Sequence, residues 1–397
     1  MAPFNKVYNQ VPKLMTVISK LQVCEFVQAY VAIPRFVLPS NGYGIYTELM
    51  PMAPFPVSPF QDADDRQRQA GLESDVAFYE RLILEHPKQA AAHHNLAMAL
   101  RKLNRPEEAL RRSKIAFELS PDHSTLAFSL GLSFEQAGFL PEAEDMYRQA
   151  LVLKPDHPGV LNNLGRLLES HGHHAAALDC LEKAAILSPG DGDIALNLAN
   201  TFLALGRPRD AQRILKSAPR TGAAANALGV ASYVQRDWQS ASDQFRHATK
   251  LSPGFAGAHE NLAMSLLHEE KFEEGWREYE WRWRNSDNCI TPRQLAMPYW
   301  DGSCLGHRKL LLHAEQGFGD TLQFVRFGSL IPKAGGNITL AVQAELVSLL
   351  VGLSWADEVI SLDTGLPSAD VQAPLANLPS LLDATGHSVR STGAYVS

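Results

Sequence analysis

The chain has 397 residues, 45% hydrophobic and 20% charged, which is enough apolar content for two or three structural units and too much for a chain disordered throughout. A formal net charge of -7, with no dense run of Lys and Arg, argues against nucleic acid and anionic membrane as partners. The cysteines Cys24, Cys180, Cys289 and Cys304 lie far apart without a CxxC pair; this speaks against a zinc site or a disulfide framework and for a reducing, cytoplasmic setting.

From the N-terminus, residues from Val11 to Leu38 are rich in apolar side chains. Lys13, Lys20 and Glu25 interrupt them and Pro34-Arg35 follow, so no uncharged run reaches the ~20 residues of a spanning helix. No A-x-A-like cleavage site follows an apolar core. A short amphipathic helix is expected there and no membrane span. Pro39, Pro51, Pro54, Pro56 and Pro59 then mark a linker, so residues 1–65 read as an extension without assigned function.

Beyond it the sequence repeats. Pro87, Pro121, Pro155 and Pro189 are each 34 residues apart, and after one shortened unit ending at Pro219 the spacing of 34 returns at Pro253. Successive units carry Leu96-Ala97, Leu130-Gly131, Leu164-Gly165, Leu198-Ala199, Leu228-Gly229 and Leu262-Ala263, a large residue beside a small one. The small residue lets a neighbouring helix approach while the leucine fills the space beside it. Further on come Ala109, Ala143, Ala177, Ala211, Ala241 and Gly275, then Ala116, Ala150, Ala184 and Ala248, on a second helix. The closing proline ends each pair, because it cannot continue a helix.

This skeleton resembles the tetratricopeptide repeat. Six units are expected, 90–123, 124–157, 158–191, 192–221, 222–255 and 256–289, with a capping helix around Gln69–Glu85, so that the array spans 66–289. In the last unit Gly275 and Arg282 replace alanines and Trp276, Tyr279, Trp281 and Trp283 appear, the mark of a junction with the C-terminal part of the chain. The resemblance implies a concave groove, lined by the first helices, that takes a protein or peptide partner. Asn95, Asn163, Asn197 and Asn261 occupy one position in it. An amide carries both a donor and acceptors and suits an extended backbone. In the O-linked N-acetylglucosamine transferases, which the array also resembles, such an asparagine ladder holds substrate polypeptide; the other reading is that asparagine at this position serves the fold. His171, His173 and His174 have poor spacing for a metal and read as a solvated turn, and His93 and His94 point in different directions on their helix. No metal and no cofactor is expected.

Past Trp300 the pattern changes to strands at Lys309–Ala314, Asn337–Val342, Glu358–Leu362 and Asp370–Pro374, with helices from Thr321 to about Ile331 and from Ala344 to about Gly352. Alternation of this kind predicts a doubly wound parallel sheet with its ligands at the carboxyl ends of the strands. The string AEQGFGDTLQFVR, preceded by Tyr299-Trp300-Asp301-Gly302, is similar to the start of the glycosyltransferase domain that follows such repeats in many bacterial proteins, and its GDTL resembles the turn of the heptosyltransferases. That resemblance, over about 298–382, makes Asp320 the candidate base for an acceptor hydroxyl and gives Gln316, Gly317 and Gly319 a substrate-binding role. Helix capping by Asp320 is the alternative.

The expected fold class is therefore mainly α, a tetratricopeptide-repeat α-α superhelix followed by a partial α/β domain of the GT-B-like, Rossmann type at 290–382 and a tail at 383–397. No donor-binding second domain is legible, so the expected function is a protein- or peptide-binding scaffold, inactive alone as an enzyme. The alternative is a glycosyltransferase moving sugar from a nucleotide-sugar to a protein or glycan acceptor.

Overall fold

The computed structural model describes residues 59–285 and 293–384, with side chains from Gln69 onward. The expectations for the amphipathic segment and for the tail beyond residue 384 lie outside the described residues. Two compact units result, 59–219 and 220–384.

The first unit is helical. It opens with α1 (Pro59–Glu85), followed by the pairs α2 (Ala90–Lys102) and α3 (Pro106–Leu119), α4 (Ser124–Gln136) and α5 (Leu140–Leu153), α6 (Pro158–Ser170) and α7 (His174–Leu187), and α8 (Gly192–Ala204) and α9 (Pro208–Leu215). The capping helix begins at Pro59, not near Gln69, inside the stretch that its prolines marked as linker. Proline has no N–H to lose at a first helical position, where that donor is unpaired in any case. The same chemistry places Pro106, Pro158 and Pro208 at the starts of α3, α6 and α9.

Each hairpin turn needs one left-handed residue. Asn104, Gly138, Gly172 and Gly206 supply it with φ of 54, 82, 77 and 69°. In the second unit the same place is filled by Arg236 and Glu270, with φ of 61 and 59°. These two side chains accept a conformation that costs an L-residue roughly 1–2 kcal/mol, which the packing of the hairpin must offset.

The second unit starts with two more pairs, α10 (Gly222–Val234) and α11 (Trp238–Leu251), then α12 (Ala256–His268) and α13 (Phe272–Tyr279), which runs into a 3-10 turn at Glu280–Arg284. A four-stranded sheet comes next, made of β1 (Lys309–His313), β2 (Asn337–Val342), β3 (Glu358–Ser361) and β4 (Val371–Pro374) in the order β3-β2-β1-β4. All pairings are parallel, with Leu310 opposite both Ile338 and Val371, and Leu340 opposite Val359. The segment expected as one helix up to Ile331 is two pieces, α14 (Phe318–Phe324) and a 3-10 turn at Val325–Leu330. Gly328 lies under the Trp355 ring, where an added Cβ would fall 2.4 Å from Cζ2, so the main chain there is set by that ring. The later helices are α15 (Ala344–Leu350) and α16 (Leu378–Leu381). Among the described residues no helix is long and apolar enough to cross a membrane.

One apolar cluster joins the last hairpin to the sheet. Ala263, Leu267, Trp276 and Tyr279 share it with Leu310, Leu312, Phe324, Phe327, Ile338, Leu340 and Val371. Trp276 meets Phe324 and Phe327 edge-on, with ring centroids 6.1 and 6.5 Å apart. Of the aromatic run that broke the repeat pattern, Trp276 and Tyr279 are thus core, in the geometry that suits the ring quadrupoles, whereas Trp281 and Trp283 are half-buried outside that cluster.

Candidate functional site

Two places stand out from the sequence, the first-helix faces of the hairpins and the carboxyl edge of the sheet. On the helical faces the four asparagines divide. Asn95 on α2 and Asn163 on α6 are half-buried, and Asn163 donates through Nδ2 to its own helix at Gly159 O, 2.9 Å. Asn197 on α8 and Asn261 on α12 are buried. Asn197 Nδ2 donates to Asn162 Oδ1 at 2.9 Å, and Asn261 Nδ2 donates to Asn226 Oδ1 at 3.0 Å. In each case an amide bridges adjacent first helices, a use of asparagine that supports the stacking of hairpins. Beside Asn163, Arg166 is paired with Glu135, whose other oxygen accepts from Tyr147 OH at 2.6 Å. This ties the second and third hairpins together.

The histidines have local partners. His93 Nε2 lies 3.0 Å from Pro87 O, and His171 Nδ1 lies 3.7 Å from Glu144. Among the described residues no group of three or more His, Cys, Asp or Glu side chains is placed to hold a metal ion.

At the sheet edge, β1 runs into Glu315, Gln316 and Gly317 before α14 begins. Gln316 is fixed from two sides: its side chain is 3.3 Å from Tyr279 OH, and its carbonyl accepts from Gln343 Nε2 at 2.7 Å. Thr321 Oγ1 in turn donates to Gln343 Oε1 at 2.9 Å. Asp320 stands in the first turn of α14 and accepts from Gly317 N at 3.1 Å, so its capping role is realised. Burial pushes its carboxyl up to about 6, against the lowering effect of that hydrogen bond. Gly317 and Gly319 are exposed; a Cβ at Gly319 would meet nothing within 4 Å, and at Gly317 only Asp320 Oδ2 at 3.5 Å. Neither has a positive φ, so neither backbone strain nor packing within the chain demands glycine at these positions.

The segment Tyr299-Trp300-Asp301-Gly302 has a structural task. It runs parallel to the outer side of β4, with Trp300 N donating to Gln372 O at 2.8 Å and Gln372 N to Pro298 O at 2.9 Å. Trp300 fills the core, and at Gly302, whose φ is 82°, a Cβ would lie 2.2 Å from Leu381 O.

Comparison with known proteins bears on the helical part. Residues 90–112, 128–192 and 168–230 each match a sequence profile of the tetratricopeptide repeat. The chain carries tetratricopeptide repeats. No curated protein matches it in sequence. Similar solved structures include the APC/C hetero-tetramer Cut9-Hcn1, at 18% identity and a TM-score of 0.47 over 55% of this chain and 44% of that one. PilF of Pseudomonas aeruginosa is similar at 18% identity and a TM-score of 0.44 over 49% of this chain and 90% of its own. YrrB, described as a TPR protein with an unusual peptide-binding site, is similar at 20% identity and a TM-score of 0.31 over 53% and 93%.

Two features of these repeats escaped the sequence. The small residue of the Leu-Gly pairs is matched to a large one on the second helix of its own hairpin: a Cβ at Gly131, Gly165 or Gly229 would fall 2.6, 2.6 and 2.5 Å from Tyr147, Leu181 and Phe245. In the alanine units the residue sixteen further on varies: it is the small Ser113 after Ala97, 2.8 Å from Ser133 Oγ, but Leu215 after Ala199 and Tyr279 after Ala263. Comparing residues sixteen apart within the three Leu-Gly units would have found their pairing with a large residue. The second is Arg282, which the repeat pattern marks only as a departure from alanine. It is fully buried, and its guanidinium reaches Glu315, just past β1, and Asn377, just past β4. No sequence pattern links these three positions.

Proposed function

We propose that the chain is a scaffold that holds an extended protein or peptide segment on the first-helix face of its tetratricopeptide repeats, and that its sheet unit is of glycosyltransferase lineage without sugar transfer by this chain alone. The observation that carries the binding role is the half-buried pair Asn95 and Asn163, amides at one repeat position that stay accessible while Asn197 and Asn261 are committed to neighbouring helices. Half-buried amides two repeats apart suit backbone groups of an extended segment, at roughly 0.5–1.5 kcal/mol each. A peptide selected on the purified chain from a displayed random library should therefore bind about 5- to 100-fold more weakly to the double variant Asn95→Ala/Asn163→Ala, with helicity unchanged. Equal affinity would place the binding surface elsewhere.

One set of observations favours a second reading, sugar transfer with Asp320 as base. Its carboxyl is held near 6 by burial, in the range useful to a general base, and the exposed Gly317 and Gly319 leave space in front of it. General-base catalysis alone supplies roughly 10²–10⁴-fold, whereas a leaving diphosphate needs fixed donors or cations, whose stabilisation usually contributes more to the rate. Residues 298–382 offer no second glycine-rich turn opening a helix. Calorimetry with a panel of nucleotide sugars, and label transfer onto cell extract, should show neither binding nor transfer. Saturable binding, or labelling lost in Asp320→Asn, would establish the enzyme.

A further inference from the structure

We propose that Arg282, Glu315, Glu280 and Asn377 form a proton-operated latch between the last helical hairpin and the carboxyl edge of the sheet, closed while Glu315 holds a proton and loosened when that proton leaves. Such a latch would operate whatever the repeats bind and whether or not the sheet unit transfers sugar.

Its basis is a charge mismatch inside the fold. Arg282 is fully buried and donates through Nη2 and Nε to Glu315 Oε1, at 2.8 and 3.1 Å. Its Nη1 donates to Tyr279 O at 3.3 Å and lies 3.5 Å from Glu280 Oε1. Asn377 accepts from Arg282 and donates to Glu280 Oε2 at 2.8 Å. One guanidinium therefore faces two carboxylates. The side chain of Glu315 is only 3% exposed, and its second oxygen, Oε2, is buried without a hydrogen-bond partner. An ionised carboxylate with an unpaired oxygen in such a place is costly, and a proton on it removes the excess charge.

The groups facing Glu315 differ in the direction they push it. Arg282 favours its charge, Glu280 opposes it, and desolvation opposes it most, which pushes the Glu315 carboxyl up to about 7. Tyr279 is buried and held well above the usual phenol range by the same desolvation, so it stays neutral, as do Asn377 and Gln316. The folded-state value lies above the value of 4.5 for a free glutamate, so the contribution of Glu315 to folding is fully present below about 4.5 and is lost as pH rises through about 7. The site of the change also matters. Glu315 stands two residues before Gly317, so loosening reaches the turn that carries Gln316, Gly317, Gly319 and Asp320.

The test is a pH titration of the full chain between about pH 5 and 9, spanning both sides of the Glu315 transition, followed by tryptophan emission and by hydrogen exchange over 276–284 and 309–320, with far-UV dichroism as a check on folding. Trp283, with the Arg282 guanidinium 4.4 Å from its ring centroid, reports the latch. We expect a one-proton transition near neutral pH, to longer wavelength and faster exchange in the alkaline form, and no such transition in Glu315→Gln, which keeps the shape and neutrality of the protonated acid. Any change that comes from other groups is common to both proteins, so the difference between them isolates Glu315. In Glu280→Gln the opposing charge is gone, and the midpoint should fall by about one pH unit, as expected for removing a like charge a few ångströms away. A transition unchanged in Glu315→Gln, or a midpoint unmoved in Glu280→Gln, would overturn the latch.

Discussion

In the unit 59–219 the apolar core comes in short-range pieces: Val76, Ile83, Leu96 and Leu100 form one, Tyr147, Leu164 and Leu167 belong to another, and Leu161, Ala184 and Ile194 make a third. The unit 220–384 has such a local piece too, Ala225, Ala248 and Ala258, but its main cluster extends from Ala263 to Ala384 and takes in residues of the last hairpin, three strands and their connections. The same repeat positions serve both. What differs is the sequence distance over which a side chain finds its partner, and that distance governs stability, the amount that could be read from sequence, and where a substitution is felt.

The largest effect should come from the residue that spans the greatest distance. Arg282 bonds to Glu315 and Asn377, so Arg282→Met would leave the buried Glu315 and Asn377 without their shared donor. Breaking a buried ion pair by removing one partner costs about 3–5 kcal/mol. Urea unfolding at neutral pH should show a loss of this size, and hydrogen exchange should place it in 220–384 while the amides of α2 to α7 keep their protection. A loss shared equally by both units would mean that the two cores are not separate in range.

The same difference in range explains what was legible in the sequence. The repeat units, their paired helices and the junction role of Trp276 were visible because each helical partner recurs at a fixed short spacing, so one residue class can be checked against the next unit. The strands were found within about one residue, since β1 and β2 are apolar runs bounded by glycine. Boundaries failed where a residue type has two uses: Pro59 looks like a linker residue and in fact starts a helix. The asparagine row was found as a row, but sequence could not separate Asn163 from Asn197, because the partner that buries the latter, Asn162, lies on a neighbouring helix. At the sheet edge, Asp320 and its glycines stood out through local spacing, whereas Arg282 and Glu315, which brace that turn from behind, share no motif.

A middle-sized effect tests the local side. Adding a methyl at Gly165 would place a carbon 2.6 Å from Leu181 Cγ, and at Gly229 one 2.5 Å from the Phe245 ring. Overpacking of this kind typically costs about 1–3 kcal/mol, partly offset by the better helix propensity of alanine. Gly165→Ala and Gly229→Ala should therefore lower stability by roughly 1–2 kcal/mol. Combining Gly229→Ala with Phe245→Leu should recover part of the loss, since the smaller side chain makes room. If the double variant were no better than the sum of the single effects, the pairing of small with large across a hairpin would not be what fixes these positions.

The smallest effect separates the two uses of asparagine. Asn261 Nδ2 donates to Asn226 Oδ1 at 3.0 Å, both side chains are buried, and Asn226 Nδ2 has no hydrogen-bond partner. Asn261→Ala removes one neutral hydrogen bond, worth about 0.5–1.5 kcal/mol, and leaves Asn226 Oδ1 unsatisfied as well, so stability should fall toward the upper end of that range. Asn95→Ala, at a half-buried site, should cost a few tenths of a kcal/mol at most, because the change buries no unpaired group. The ratio between the two losses is the informative quantity. Equal losses at the two sites would mean that the row is structural throughout, and the binding role assigned to Asn95 and Asn163 would lose its footing.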